Sequence, residues 1–313
     1  MTGTVTLSVE IELGWGVHDI GEYGHLSEDG RAEREFLRQL LDVCDETEIP
    51  ISFDAVGHLF LASCEGSHDG PYPDGWFDAD PGTDVAVDPL FYAPDMIENV
   101  RTRDTDHELC THTFSHTPHG TVSTTAADAD LDHAQRVHED ILGERTCSLV
   151  PPRHMTPPSH VLRSNGIDVV REAANRRASS RLGRAKELLL GPPPMGDPTI
   201  EDGVCRTLST TYPNLAAASL PSGKRPAEPL FRAVPTRIRQ RFHRQYLERA
   251  TMHAIERDTH LHLWCHLYDI ANHAQLAPLA GYLRTLERLR DRGRVDIAVM
   301  ERLSERVPVS RTA

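Results

Sequence analysis

The chain has 313 residues, of which 39% are hydrophobic and 26% charged, and this composition is typical of a folded globular protein. A chain of this length can bury one large core, and α/β barrels often reach this size as a single domain. The net charge of −14 argues against non-specific nucleic-acid binding, because phosphate groups repel an acidic surface. No run of about 18 apolar residues is present, so a membrane span is not expected.

The N-terminal residues and the cysteines both favour a cytoplasmic location. Residues 1–16 contain neither a basic segment nor a long apolar segment, so no signal peptide is predicted. The six cysteines are scattered without a C-x-x-C pair, which suits reduced thiols and excludes a zinc ribbon. Among 33 basic residues only Lys186 and Lys224 are lysines. An acidic, lysine-poor surface suits a salt-rich cytosol, as in a halophilic archaeon, although GC-rich coding alone would also replace lysine by arginine.

Strands and helices alternate along the chain. Residues 4–12 alternate apolar and polar side chains, which predicts a strand. The amphipathic pattern of Arg31–Glu46 predicts a helix that ends before Pro50, and a second strand begins at Ile51. This strand–helix–strand order predicts a parallel α/β unit.

The rest of the chain continues this alternation. Further helices are predicted at residues 95–103, 128–142, 237–256 and in the leucine-striped segment 279–289, and further strands at 108–111, 147–150, 261–266 and 295–299. Residues 63–94 are rich in Gly, Pro and Asp and predict a long functional loop. Residues 191–235 are rich in proline and predict a loop or an excursion over the fold. Since no repeat or linker is visible, residues 1–313 are expected to form one domain.

Glu10 and Glu12 lie two residues apart at the carboxyl end of the first predicted strand. Both side chains therefore point to the same side, at the end where parallel α/β folds place their sites. Two adjacent carboxylates repel each other, and a bound cation removes that cost. The alternative is a solvated acidic strand face in an acidic protein.

His112 and His116 form an H-x-x-x-H pair that follows the strand predicted at 108–111. A spacing of four puts two imidazoles on one face of a helical turn, close enough to share a metal ion. Such a pair also arises by chance in a chain with 18 histidines. Two histidines and one carboxylate are a common hydrolytic zinc set that leaves a position for water.

A second pair, His262 and His266, lies within a predicted strand. In extended chain the two residues are roughly 13 Å apart, too far to share one metal ion. His266, nearest the strand end, is better placed as a general acid. His262 is expected in the core or supporting the site.

Four segments together resemble one known family. SVEIELGWG, HTFSH, PPRH at 151–154 and HLWCH occur in the order and spacing of the polysaccharide deacetylases, the carbohydrate esterases with a NodB-homology domain. The resemblance spans roughly residues 4 to 300, and it is closest to a branch whose first motif ends E-L-x-W-G. It implies an α/β fold, a distorted, NodB-like (β/α) barrel of about seven strands.

The resemblance also implies a divalent metal ion, usually zinc, at the mouth of the barrel. The two histidines of HTFSH, His112 and His116, match the metal-binding histidines of the family. The second carboxylate of the first motif, Glu12, matches the metal-binding carboxylate.

Three further residues match catalytic positions of the family. Glu10 corresponds to the base, Arg153 to the arginine that steadies the base, and His266 to the histidine that protonates the leaving amine. The family usually has aspartate at the position of Glu10, and the added methylene could move the base by about 1 Å, which can cost about a hundredfold in rate.

Trp15, Trp76 and Trp264 all lie in or near the motif segments. Sugar rings stack on aromatic faces, so these residues are candidates for substrate binding, with core packing as the alternative.

The sequence therefore predicts a cytoplasmic, zinc-dependent hydrolase that removes N-acetyl groups from an amino-sugar glycan or glycolipid precursor. One alternative is a C–N hydrolase of a small amide or cyclic imide on the same scaffold. Another is a catalytically silent glycan-binding relative, suggested by Glu10.

Overall fold

The computed structural model describes residues 2–174, 180–191, 193–211, 215–216 and 231–307. Within these residues the strands are β1 Gly3–Ile11, β2 Ser52–Ala55, β3 Glu108–Thr111, β4 Ser148–Leu149, β5 Val169–Ala173, β6 Thr199–Glu201, β7 Val204–Thr211, β8 His260–His266 and β9 Val295–Ile297. The α-helices are α1 Arg31–Thr47, α2 Pro94–Arg101, α3 Thr124–Leu142, α4 Ser159–Ser164, α5 Arg181–Leu189, α6 Thr236–Arg257, α7 Leu267–Ile270 and α8 His273–Asp291.

Seven parallel strands close into a barrel, as the resemblance implied. Their order is β1-β2-β3-β4-β5-β7-β8, and β8 pairs with β1 to close the ring. β9 pairs with the beginning of β1, and β6 lies antiparallel along β7. Since the seven strands run the same way, their carboxyl ends meet at one mouth of the barrel.

Helices cover the outside of the barrel through apolar stripes. Leu37, Leu40 and Leu41 of α1 are fully buried, and so are Leu283 and Leu286 of α8. Each such leucine contributes about 1.5–3 kcal/mol by leaving water. The outward-facing residues of β1 pack in the same core, as their alternation predicted.

The inside of the barrel near its mouth is polar. Thr6, Ser8 and Glu10 of β1 alternate with the apolar residues, yet all three are buried. His262 of β8 is within hydrogen-bond distance of Ser8 and of Thr207, so it lies in the polar interior below the site. Glu10 is only 4% exposed, which rules out the solvated strand face.

The prediction of a loop at residues 191–235 is wrong. The predicted loop there contains β6 and β7, and β5, which precedes this segment, was not predicted. Polar side chains such as Arg171 and Thr207 face the barrel interior, so the apolar runs that reveal a buried strand are interrupted. Residues 192, 212–214 and 217–230 of that segment lie outside the described residues.

Residues 61–93 form a long loop between β2 and α2, as predicted. An isolated bridge joins Ser63 to Asp84, so the loop folds back on itself. Among the described residues, no helix combines the length and apolar character that crossing a membrane requires.

Candidate metal centre

The three predicted metal ligands meet at the mouth of the barrel. Glu12 follows the end of β1, His112 follows the end of β3, and His116 lies four residues further on. Glu12 Oε1 is 3.0 Å from His112 Nε2 and 3.2 Å from His116 Nε2. One ligand atom from each residue lies within 4.8 Å of the others, so a single ion can reach all three.

The two histidines reach this position on a loop, and the predicted helical turn is wrong. Thr113 and His116 have φ values of 63° and 59°, which no helix allows. The backbone carbonyls of Thr113 and Phe114 accept hydrogen bonds from the amides of Gly57 and His58 just beyond β2, each at 2.8 Å. The loop is therefore tied to the neighbouring strand end while it turns both imidazoles inward.

A buried carboxylate fixes the loop from the other side. The backbone amide and the hydroxyl of Ser115 both donate to Asp130 Oδ1 of α3, at 3.2 and 2.8 Å. Asp130 is fully buried, and its second oxygen lies 2.9 Å from His119 Nε2. These contacts attach the loop that carries both histidines to α3.

Hydrogen bonding presents the Nε2 lone pair of His112 to Glu12. His112 Nδ1 lies 2.7 Å from the carbonyl of Val150, which can only accept, so Nδ1 carries the hydrogen. In the neutral ring Nε2 is then an acceptor facing a carboxylate oxygen. A cation between the two is needed, either a proton or a metal ion, and metal-binding histidines usually show this second hydrogen bond.

The charges around Glu12 favour its ionised form. Burial raises the pKa of this carboxyl, but His266, His116 and His112 together hold it well below its ordinary value. For His116, burial outweighs the pull of Glu12 and lowers the pKa of the imidazole, which leaves the ring neutral and able to bind a metal ion.

Glu10 is paired with Arg171, a residue that the sequence did not reveal. The Arg171 guanidinium is fully buried and contacts Glu10 Oε1 through Nη2. Its Nη1 lies 2.9 Å from Ser8 Oγ and 3.2 Å from Asp54 Oδ2. The same guanidinium lies 4.5 Å over the ring of Trp264, a cation–π contact that helps to fix it.

The predicted pairing of Arg153 with Glu10 is wrong. Arg153 Nη2 lies 2.6 Å from Asp19 Oδ1, and its side chain is 38% exposed. The residue sits in a 3-10 turn after Pro152 with a φ of 51°, and its side chain pairs with Asp19 in place of Glu10. Arg171 can reach Glu10 because β5 places it on the inner face of the barrel.

Asp54 is a second missed residue, and it lies beside Glu10 on the adjacent strand β2. Burial raises the pKa of Asp54 to about 8, with Glu10 adding to the rise and Arg171 opposing it. At neutral pH Asp54 is therefore mainly protonated beside Glu10 and Arg171. A single Asp at the end of a short apolar strand (ISFDA) was the only signal in the sequence.

His266 contacts Glu10 directly, from the strand on its other side. Its Nε2 lies 3.0 Å from Glu10 Oε2, and its Nδ1 lies 3.2 Å from Asp269 Oδ2. Burial lowers the pKa of His266, but Glu10, Glu12 and Asp269 outweigh it and raise the pKa to about 10. With 24% of its side chain exposed, this imidazolium can meet a substrate.

Glu10, Glu12 and His266 form a second group of three close enough to share an ion. Both ring nitrogens of His266 face carboxylate oxygens, which makes the ring a donor on both sides. A doubly protonated ring cannot bind a metal ion. The set Glu12, His112 and His116 therefore suits a metal ion better, and His266 suits a proton donor.

The tryptophans divide between the core and the site. Trp15 is fully buried, with its indole N–H on the carbonyl of Phe91, so its predicted role in substrate binding is wrong. Trp264 is 8% exposed and packs against Arg171, so little of its ring is free to stack on a sugar. Trp76 is half-buried and donates to Ser115 at 2.9 Å, so its predicted contact with substrate stays open.

Comparison with known proteins agrees with this architecture. Residues 26–170 match the sequence model of the family described as polysaccharide deacetylase. No curated protein sequence matches the chain.

Three solved structures illustrate the shared fold. A Mycobacterium smegmatis protein assigned as a polysaccharide deacetylase has a TM-score of 0.62 at 12% identity, over 98% of this chain and 90% of that one. A Pseudomonas aeruginosa PAO1 protein with the same assignment has a TM-score of 0.57 at 14% identity, over 96% and 89%. The allantoinase Puue has a TM-score of 0.58 at 12% identity, over 99% and 91%. At these identities the likeness shows the fold alone.

Proposed function

Because residues 26–170 of this chain belong to the polysaccharide deacetylase family, we propose that the protein is a metal-dependent hydrolase that removes N-acetyl groups from an amino-sugar glycan or glycolipid precursor. The observation that carries the proposal is the convergence of Glu12, His112 and His116 beside the buried pair of Glu10 and His266.

The residues at the mouth of the barrel fit a zinc ion. Two imidazole nitrogens and one carboxylate form a common hydrolytic zinc set, and three protein ligands leave room for water or substrate. The lone pair that His112 presents to Glu12 is the feature a cation would satisfy. When bound, a divalent cation lowers the pKa of a water molecule toward neutrality and acts as a Lewis acid on a carbonyl oxygen.

Glu10 is the proposed general base. Both of its oxygens have partners, Arg171 on Oε1 and His266 on Oε2, so the carboxylate is held in one orientation. It would accept the proton of the water that attacks the acetamide carbonyl. The longer glutamate side chain is thus fixed by two charged neighbours, which supports turnover without the aspartate usual in the family.

His266 is the proposed general acid. Its protonated ring would donate the Nε2 hydrogen to the departing amine as the carbon–nitrogen bond breaks. The proton taken up by Glu10 can then pass across the 3.0 Å contact to His266 Nε2, which returns both residues to their starting states. Across the cycle the acetyl group gains the hydroxyl of water and the amine gains its proton.

A panel of substrates tests this proposal. Zinc-loaded protein should release acetate from N-acetylated amino sugars and leave small amides and cyclic imides intact. The panel includes small cyclic substrates because the allantoinase Puue shares the fold. Turnover of a cyclic imide without acetate release would favour that alternative.

A second comparison addresses the silent glycan-binding alternative. The variant Glu10→Asp restores the residue usual in the family. If the zinc-loaded wild type releases no acetate while Glu10→Asp does, the natural protein is a binding relative. The proposal expects wild-type release, with Glu10→Asp no more than comparable, because Arg171 and His266 are placed for the glutamate.

A further inference from the structure

The 3-10 turn Gly57–Phe60 and the loop that follows it, between β2 and α2, bring together four side chains of the types that bind metals in other proteins. His58, Cys64, His68 and Asp80 each offer one ligand atom, and these atoms lie within 4.8 Å of one another. None of the four belongs to the mouth of the barrel. We infer that they bind a second divalent cation, zinc, with a structural role.

The ligand atoms are packed as closely as hydrogen-bonded atoms. Asp80 Oδ2 lies 3.1 Å from His58 Nε2 and 2.9 Å from His68 Nε2, and the two nitrogens are 3.2 Å apart. Cys64 Sγ lies 3.3 Å from the same oxygen. The side chains of His58 and Asp80 are fully buried, and that of His68 is 8% exposed.

With both histidines neutral, their own hydrogens do not satisfy these contacts. His58 Nδ1 lies 3.2 Å from the carbonyl of Phe91 and therefore donates to it, which leaves a lone pair on Nε2 of the neutral ring. A hydrogen on His68 Nε2 can bond to Asp80, but His58 Nε2 still faces the same carboxylate oxygen with no hydrogen between them. A cation at the centre is attracted to all of these lone pairs at once.

The types of ligand atom in this group favour zinc over calcium or magnesium. Two imidazoles, one thiolate and one carboxylate are the ligands that tetrahedral zinc sites use, and the soft thiolate disfavours calcium and magnesium. Four protein ligands close the coordination sphere, whereas the mouth of the barrel offers three. The loop site therefore suits a structural ion.

Neighbouring groups hold the sulfur of Cys64 and the carboxylate of Asp80 in place. The backbone amide of Gly66 donates to Cys64 Sγ at 3.3 Å, and the amide of Gly82 donates to Asp80 Oδ1 at 3.1 Å. Tyr92 Oη lies 3.1 Å from Cys64 Sγ and 3.3 Å from Asp80 Oδ1. Such outer contacts orient ligands in metal sites.

Two glycines let the loop close around the ligands. Gly66 and Gly82 have φ values of 75° and 60°, and a Cβ on Gly66 would lie 3.1 Å from the Cα of Gly82. Larger residues would force apart the two turns that carry Cys64 and Asp80. The close approach of these turns fixes the fold of the loop around the site.

The loop site lies behind the mouth of the barrel. The ring of His58 packs 4.3 Å from Trp15, which follows Glu12 in the chain. The ring of His68 packs 5.2 Å from Phe114, which lies between His112 and His116. An ion in the loop would therefore hold the wall against which the predicted catalytic ligands pack.

Cobalt substitution tests this inference. The ligand set Glu12, His112 and His116 contains no thiolate, so a thiolate-to-cobalt charge-transfer band in the cobalt-loaded protein would report the loop site alone. We expect the band in wild type and in Cys147→Ser, whose half-buried cysteine lies outside the group. We expect Cys64→Ser to lose it and to bind about one ion per chain in place of about two.

The variant His116→Ala separates this inference from the proposed function. It should keep the charge-transfer band and lose the other ion, whatever the reaction proves to be. A wild-type protein without the band, or a Cys64→Ser variant that keeps it, would overturn the inference. The wild-type spectrum decides the matter even if Cys64→Ser fails to fold.

Limited proteolysis gives an independent measurement. Residues 63–94 contain no lysine or arginine but several aspartates. A protease that cleaves at aspartate can therefore cut within this loop. We expect Cys64→Ser to be cut there several-fold faster than Cys147→Ser. Equal rates would show that no ion orders the loop.

Discussion

Replacing Arg171 by methionine should destabilise the protein far more than an arginine change elsewhere on the barrel. The Arg171 side chain is fully buried and contacts Glu10, Asp54 and Ser8. Methionine keeps most of the volume but removes the partner of Glu10 Oε1, which leaves only the contact of Oε2 with His266. Removing one partner of a buried ion pair costs about 3–5 kcal/mol.

Arg153→Met is the matched control. Its arginine is 38% exposed and pairs with Asp19, whose side chain is 20% exposed. Surface pairs of this kind contribute about 0.2–1 kcal/mol. The free energy of unfolding, measured in urea for both variants, should therefore differ by about 2 kcal/mol or more.

Acetate release by the same two variants separates the roles of the two arginines. Arg171→Met should lose about a hundredfold or more in rate because the base is no longer held, whereas Arg153→Met should stay within a few-fold of wild type. If the two variants lost equal stability and equal rate, the reassignment from Arg153 to Arg171 would be refuted.

Three further changes probe the buried carboxylates and the proposed acid. Glu10→Gln should keep its metal, measured by elemental analysis, and lose about 100- to 10,000-fold in acetate release. The pKa of His266 is raised from 6.5 to about 10, so its ion pairs stabilise the metal-free protein fully below pH 6.5 and are lost as the pH rises toward 10. His266→Asn should flatten that part of the curve of unfolding free energy against pH, and unchanged curvature would contradict the pairing. The pKa of Asp54 is raised from 3.8 to about 8, so the folded state holds this proton more tightly and loses stability as the pH rises between those values. Asp54→Asn should remove that loss, and a variant that follows the wild-type curve would show that Asp54 is ionised in the fold.

The strand-end residues of the site could be predicted because β1 has a regular pattern. Glu10 and Glu12 were predicted on one side of the chain, and they lie on one side in the structure. The order of the motifs then indicated a barrel and predicted that His112 and His116 lie at its mouth. The backbone between those histidines could not be predicted, since a spacing of four suits a helix as well as a loop with two positive φ values.

The missed residues share a physical cause. Arg171 contacts Glu10 across the barrel, 161 positions away in sequence, and Asp54 lies beside Glu10 on the adjacent strand, 44 positions away. A buried arginine in VVREA resembles a surface charge until the closed sheet shows which face is inside. Arg153 was predicted from its motif, and only the structure shows that it pairs with Asp19.

The loop cluster could not be recognised either, because its four residues are spread between positions 58 and 80 without a regular spacing. Loop residues come together through turn geometry, here the two glycine turns, and not through a helical or strand period.

The central claim is that Glu12, His112 and His116 hold the metal ion on which hydrolysis depends. Zinc content and acetate release, measured on the same preparations of wild type, His116→Ala and the surface control His160→Ala, test it most directly. The claim predicts that His116→Ala loses one ion per chain and its acetate release together, while His160→Ala keeps both. Acetate release at the wild-type rate from a His116→Ala protein that has lost this ion would contradict it.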